Sequence, residues 1–261
     1  MRLNISYCIT CMGRLKHLRQ TLPENLHDTR DLSGIEFVLL DYNSQDGLEE
    51  WARNRLAEPI AAGRLTYFRT DEPKNYLSAH AKNLAHRLAH GQIVCNLDAD
   101  NFLTPGFTPY LRETFADPQN HLLAGPVLRN FGGRIALRKV DFERLGGYDE
   151  SLSHGWGYDD QDFVARARGL GLAIREIDPL HISRAIDHPD EDRIANTPKP
   201  PVTLQGMIDS IRRKDSRIWQ MHKRNQRVSD DNIARGAFIA NHNRAWGRGT
   251  VTRNFRHTLA V

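Results

Sequence analysis

No apolar stretch of this chain approaches the roughly 20 residues of a membrane span. Met1 to Gly13 has neither the apolar core nor the small-residue cleavage site of a secretory leader, so it reads as a strand and the protein is expected in the cytoplasm. Cysteine is scarce, with three in 261 residues. That excludes a disulfide scaffold, and Cys8-x-x-Cys11 has no second pair to complete a zinc site. With Cys95 these read as buried thiols of a reducing compartment. There are no internal repeats. Thr10-Cys11-Met12-Gly13-Arg14 holds one glycine, too few for a Gly-rich phosphate loop. Acidic residues are thin at one end: residues 201–261 carry 12 Lys+Arg against 4 Asp+Glu, a net +8, which leaves −4 for the rest of a chain whose total is +4.

What is present is alternation. Leu3–Thr10, Gly34–Asp41, Arg64–Arg69 and the stretch from Gln92 are short apolar, β-branched runs. The segments between them repeat at helical spacing: Leu15, Leu18, Leu22 and Leu26; then Leu48–Ala57; then Ser78–His90 with the stripe Leu77, Ala81, Leu84, Ala85, Leu88 and Gly91 as its cap. The first hundred residues are therefore β-α-β-α-β-α-β, the order of a mostly parallel sheet with helices on both faces. Later segments are expected as strands at Leu122–Leu128, Gly132–Leu137, Leu172–Glu176 and Leu180–Ile186, with helices at Asp141–Leu145 and Asp160–Arg168. Thr197–Pro201 is a linker by composition, Leu204–Asn225 a weakly amphipathic helix, and Asn232–Val261 a polar, Arg-rich tail. The reading is one α/β domain over 1–196 and a basic, partly helical extension over 197–261.

The strand from Gln92 runs into Asp98-Ala99-Asp100. Side chains alternate along a strand, so both carboxylates face one way. Ligands of open parallel sheets bind beyond the carboxyl ends of strands. Two acids there call for a hard divalent cation carrying a phosphate ligand, although for a lone D-x-D a loop with two solvated aspartates is the commoner reading. Thr10 and Arg14 close the first strand and Asp41 the second, so they would share that crevice with Asp98. Asp41 could accept from a base or ribose, or merely cap the next helix. Glycines on both sides of Trp156 leave its indole accessible, and Asp159, Asp160 and Asp162 open the following helix, where acids are favoured in any case.

Together these blocks resemble nucleotide-sugar glycosyltransferases of the GT-A fold, over about residues 5–196. Asp41-Tyr42-Asn43-Ser44-Gln45-Asp46-Gly47 resembles the D-D-x-S-x-D-G turn of family-2 enzymes, with Tyr for the second acid. Lys82-Asn83 resembles their R-N pair, and Asp98-Ala99-Asp100 their D-x-D. Gly146-Gly147-Tyr148-Asp149-Glu150 followed by Gly155-Trp156-Gly157-Tyr158-Asp159-Asp160-Gln161-Asp162 is similar to the G-G-[FY]-D-E … G-W-G-x-E-D-x-D block of β-1,4-galactosyltransferases and polypeptide N-acetylgalactosaminyltransferases. Arg166 matches their trailing arginine.

The resemblance implies a Rossmann-like sheet and metal-dependent, inverting transfer of a hexose, with galactose or N-acetylgalactosamine favoured, from a UDP-sugar to a saccharide, glycoconjugate or peptide hydroxyl. It implies Asp160 as the base; Thr10, Arg14, Asp41, Asn43, Asn83, Asp98 and Asp100 around the donor; and Trp156, Gly157 and Asp159 around the acceptor. Asp159 stands where the family has Glu. It implies Asp100 and His188 as metal ligands, with Asp98 and His181 as the runners-up. Mn²⁺ is expected before Mg²⁺, because a nitrogen ligand suits it better. The rival classes are a nucleotidyltransferase on a similar sheet, which would release pyrophosphate, and a non-catalytic nucleotide- or nucleic-acid-binding module. The basic tail is a candidate contact for acceptor, subunit or the anionic inner face of a membrane.

Overall fold

The computed structural model describes residues 3–126, 131–182, 184–189, 192, 194–198 and 216–261. It opens with four strands and the helices between them: β1 (Ile5–Cys11), α1 (Leu15–Asp28), β2 (Ile35–Tyr42), α2 (Leu48–Arg55), α3 (Ala57–Ala61), β3 (Leu65–Thr70), α4 (Ser78–Leu88) and β4 (Ile93–Asn96). There follow α5 (Phe107–Ala116), β5 (Leu122–Ala124), β6 (Ile135–Arg138), α6 (Lys139–Arg144), α7 (Asp159–Gly169) and β7 (Ile174–Glu176). The tail supplies α8 (Ser216–Ala234), β8 (Thr250–Arg253) and β9 (His257–Ala260).

Nine strands form one sheet in the order β7-β5-β6-β4-β1-β2-β3-β8-β9. β4, β1, β2 and β3 are mutually parallel, as the alternation of the first hundred residues implies. Period-2 burial divides the core into two layers. Tyr7, Ile9, Phe37, Leu39, Ile93 and Cys95 pack on one face with Leu18, Leu22 and Phe107. Cys8, Val38, Leu40 and Val94 pack on the other with Ala81, Leu84, Phe142 and Phe163. A strand buried on both faces must be apolar at nearly every position, and β1, β2 and β4 are. The chain leaves β1 toward β2 on one side, while β4 lies on β1's other side. That reversal opens a crevice beyond the carboxyl ends of β1 and β4, the place where open α/β sheets bind ligands.

The structure differs from the sequence reading in three places. Among the described residues Leu180–Ile186 shows no strand: the Asp178 carboxylate accepts from the Leu180 N–H and starts a 3₁₀ turn, Pro179–His181, leaving one bridge between Ala185 and Asn101. In Leu122–Leu128 the strand stops at Ala124, and residues 127 and 128 lie outside the described residues, as does the 204–215 part of the expected tail helix. Finally, the polar tail adds two strands to the sheet. β8 pairs antiparallel with β3, Asn254 accepts from the Tyr67 N–H at 2.9 Å, and Phe255 stacks on Tyr67 at 4.5 Å. Of β8 and β9 only Val251 is buried, so there was no apolar run to read; an edge hairpin is allowed this polarity.

Candidate active site

A cavity of about 550 Å³ lies in that crevice. Its wall includes Thr10 and Arg14 from the end of β1, Asp98 from the end of β4, Lys82 from α4, and Trp156 and Asp160 from the segment opening α7. An apolar pocket with a few convergent charged groups is the ordinary form of a small-molecule site.

Asp98 and Asp160, 62 residues apart in sequence, meet at Gly133. A Cβ on Gly133 would lie 2.6 Å from Asp98 Oδ2 and 3.3 Å from Asp160 Oδ2. Lys82 closes the group from below: its ammonium is 2.7 Å from Asp160 Oδ1 and 2.8 Å from Asp159 Oδ2, and 4.9 Å from the centre of the Tyr148 ring. Ser78 also donates to Asp159, at 3.1 Å. Burial is the main force on these acids. It raises Asp159, but the Lys82 charge and hydrogen bond outweigh it and the net shift is downward. Asp160 is pushed up to about 7: burial raises it, Lys82 draws it back, and the neighbouring charges of Asp159 and Asp98 raise it again. A helix N-terminus favours the ionised form, but at Asp160 burial and the acidic neighbours outweigh it. A carboxylate that titrates near neutrality is well matched to accepting a proton there.

Asp100 and His188 are brought together across 88 residues, with Nε2 of His188 2.7 Å from Asp100 Oδ2. Arg14 Nη2 stands 3.4 Å from the same nitrogen and links the pair to the cavity wall. Burial raises Asp100, yet the hydrogen bond and charge of His188, with Arg14 behind them, carry it below the usual carboxylate range. Asp98 goes the other way: burial and the Asp100 charge raise it more than Lys82 lowers it. His181 is elsewhere, stacked on Tyr110 at 4.1 Å with its carbonyl accepting from Thr104. Among the described residues no three His, Cys, Asp or Glu side chains lie close enough together to hold a cation by themselves. The donor set present, one carboxylate and one imidazole in contact with a second carboxylate nearby, is chemically suited to a divalent ion, which Asp100 and His188 would hold.

Three of the expected donor residues are engaged with partners inside the fold. Asp41 is fully buried; Oδ2 accepts from Tyr67 Oη and from Arg69 Nη1, both at 2.7 Å, and Oδ1 from the Ser44 N–H at 2.8 Å. Both its oxygens are therefore engaged in holding the β2 turn. Asn43 donates to the Pro73 carbonyl at 2.7 Å. Asn83 binds the backbone of Tyr148 twice and Glu150 once, so it fixes the 146–150 turn and does not reach the cavity. Asn241 of the tail and Arg166 hold the same turn through the carbonyls of Gly146, Tyr148, Leu145 and Gly147.

Lys82, Gly133 and the α8 residues Trp219 and His222 had no assigned role in the sequence reading. Lys82 was detectable as a lysine on the buried side of α4, where only a paired charge is tolerated. Gly133 carried no local signal. The glycines beside Trp156 do more than expose the indole: a Cβ on Gly155 would lie 3.1 Å from Met221 Cγ, and one on Gly157 3.0 Å from His222 Nδ1. They let α8 approach the segment that opens α7. Gly157 also takes φ +87, a left-handed conformation that favours glycine.

No curated protein matches the chain. Several solved structures share its fold. The mannosyltransferase PcManGT from Pyrobaculum calidifontis, determined with GDP-Man and Mn²⁺, superposes with a TM-score of 0.60 at 21% identity, over 72% of this chain and 58% of that one. S. aureus TarS 1–349 with UDP-GlcNAc gives 0.58 at 14% identity, over 72% and 59%. A mycobacterial protein gives 0.52 at 18% identity, over 72% and 69%. The aligned part of the chain thus spans about three fifths of the length of the first two. The family model described as glycosyl transferase family 2 matches residues 6–171, the stretch that carries Thr10, Lys82, Asp98 and Asp160, and the chain belongs to that family.

Proposed function

We propose that the protein transfers a hexose from a nucleoside-diphosphate sugar to a hydroxyl acceptor, with inversion at the anomeric carbon. The observation that carries this is the meeting of Asp98, Asp160 and Lys82 at one point of the cavity wall, beside the Asp100–His188 pair. Asp100 and His188 would hold a divalent cation, which when bound neutralises charge on the departing diphosphate. Arg14, lining the same wall, adds positive charge at that end. Lys82 engages Oδ1 of Asp160 and leaves Oδ2, the oxygen that faces Gly133, to take the acceptor's proton. Gly133 leaves room for the two carboxylates to stand side by side. No second carboxylate is assigned to attack the sugar, so displacement is direct and in line, and an α-linked donor gives a β-glycoside.

The 146–162 block favours galactose or N-acetylgalactosamine on UDP, and the nitrogen ligand favours Mn²⁺. The tail's surplus of cations is proposed to meet an anionic membrane surface, checked by sedimentation with acidic-lipid vesicles. No helix among the described residues is long and apolar enough to cross a membrane. The test of the whole reading is a screen of UDP- and GDP-hexoses with Mn²⁺. One donor should release nucleoside diphosphate, and a chelator should abolish the release. Release of pyrophosphate, or no turnover with any nucleotide sugar, would contradict it.

A further inference from the structure

The tail helix is part of the cavity. Ile218, Trp219 and His222 of α8 line the space that holds Asp98 and Asp160. α8 is fixed there: Met221 lies over Gly155 and His222 over Gly157. Asn225 donates to the carbonyls of Leu152 and Gly157 at 2.9 and 2.7 Å, and Ser229 to Asp162 at 2.8 Å. Three rings follow one another along the wall. Trp156 and His222 are 6.4 Å apart between centres, and so are His222 and Trp219, the second pair within 10° of parallel. Trp219 keeps 44% of its surface exposed although it is a large apolar side chain. Lys223 caps it, 4.6 Å from the ring centre.

Charge selects what this strip can hold. Among the described residues the cavity wall carries two cations, Arg14 and Lys82, against four carboxylates, Asp98, Asp159, Asp160 and Asp192. A polyanion is repelled there, and any metal charge is committed to the diphosphate of the donor. Flat apolar ring faces edged by hydrogen-bonding groups suit a pyranose, which turns C–H bonds to its faces and hydroxyls to its rim. We propose that Trp219 and His222 form a distal acceptor subsite that stacks a neutral pyranose of an oligosaccharide, beyond the residue at Trp156 whose hydroxyl reacts. This rests on the transferase reading and deepens it to an acceptor class.

The test is calorimetric titration of the full chain, with UDP and Mn²⁺ present, against neutral tetrasaccharides of glucose, galactose, mannose and N-acetylglucosamine and an anionic hyaluronan tetrasaccharide. At least one neutral tetrasaccharide should bind, and more tightly than its monosaccharide. Trp219→Ala should raise its Kd about tenfold, and Trp219→Phe, which keeps a flat ring, should restore most of the affinity. Circular dichroism of both variants checks that the fold is kept. The subsite is overturned if no neutral tetrasaccharide binds wild type, if Trp219→Ala binds as tightly as wild type, or if hyaluronan binds best. Nucleotide-sugar binding by wild type, titrated without saccharide, judges the transferase reading separately. Donor binding together with unchanged tetrasaccharide affinity in Trp219→Ala sinks the subsite alone.

Discussion

Gly133→Ala should damage the reaction far more than the fold. The added methyl would stand 2.6 Å from Asp98 Oδ2, whereas ordinary van der Waals contact begins at 3.4 Å; the difference, about 0.8 Å, is the retreat required of the carboxylate if the backbone holds. Asp98 has little freedom to retreat. Its Oδ1 accepts from Asn96 Nδ2 at 3.1 Å, and that same amide donates to the Gly133 carbonyl at 2.8 Å, so the glycine and the acid are tied to one side chain. Gly133 does not take a positive φ, so the substitution tests position and not backbone strain. Crowding costs about 1–3 kcal/mol, offset by about 0.4–1 kcal/mol from the stiffer unfolded chain. The net corresponds to a fall in Tm of a few degrees. If Asp98 positions the donor as proposed, a shift of nearly an ångström costs on the order of tens to a hundredfold in kcat/KM. The assay is nucleoside diphosphate release at varied donor, beside a thermal melt. A variant that melts like wild type and keeps full kcat/KM would refute the packing argument, as would one whose activity falls only because it unfolds.

Lys82→Met removes the cation shared by Asp159 and Asp160, whose side chains and that of Lys82 are 7%, 19% and 7% exposed. Breaking such a buried pair costs about 3–5 kcal/mol at alkaline pH. Asp160 already titrates at about 7 and without Lys82 moves further up. Between its unfolded and folded pKa the folded variant binds the extra proton, so the loss should shrink as pH falls through that window. The rising limb of the pH–kcat/KM profile should move to the alkaline side, and a profile unchanged from wild type would deny Lys82 this role. His188→Ala should raise the Mn²⁺ concentration needed for half-maximal activity by roughly 10- to 100-fold, on the scale of a lost metal ligand or its support. His181→Ala, remote from Asp100, should leave it near wild type, and the reverse order would reassign the site.

The parallel half of the fold was legible because strands buried on both faces have no choice of residue: β1, β2 and β4 advertise themselves as apolar runs. The tail hairpin was not legible, since Thr250, Thr252, Arg253 and His257 sit on an edge strand pair whose stability comes from β3 and from Phe255 on Tyr67. Asp98 and Asp100 stand out because they follow an apolar strand, and Asp160 because it opens a helix, positions that sequence order discloses; the roles proposed for Asp160 and His188 come from the family resemblance. The resemblance implies Asp41, Asn43 and Asn83 around the donor; their partners within the fold, Arg69, Tyr67, Pro73 and Tyr148, come from segments that local pattern does not connect. Gly133 and Trp219 matter through what lies opposite them in space, and no spacing along the chain reports that.

The most direct measurement is transfer by Asp160→Asn with the donor that the screen identifies. Asn keeps the shape of the side chain and its place beside Lys82 but cannot take a proton. Its kcat should fall by about 10²–10⁴-fold. Donor Kd should stay near wild type, because Asp160 is proposed to act on the acceptor and not to hold the donor, and the wild-type product should show by its NMR coupling constants the opposite anomeric configuration to the donor. An Asn variant with near-normal turnover, or a wild-type product that retains the donor's configuration, would contradict it.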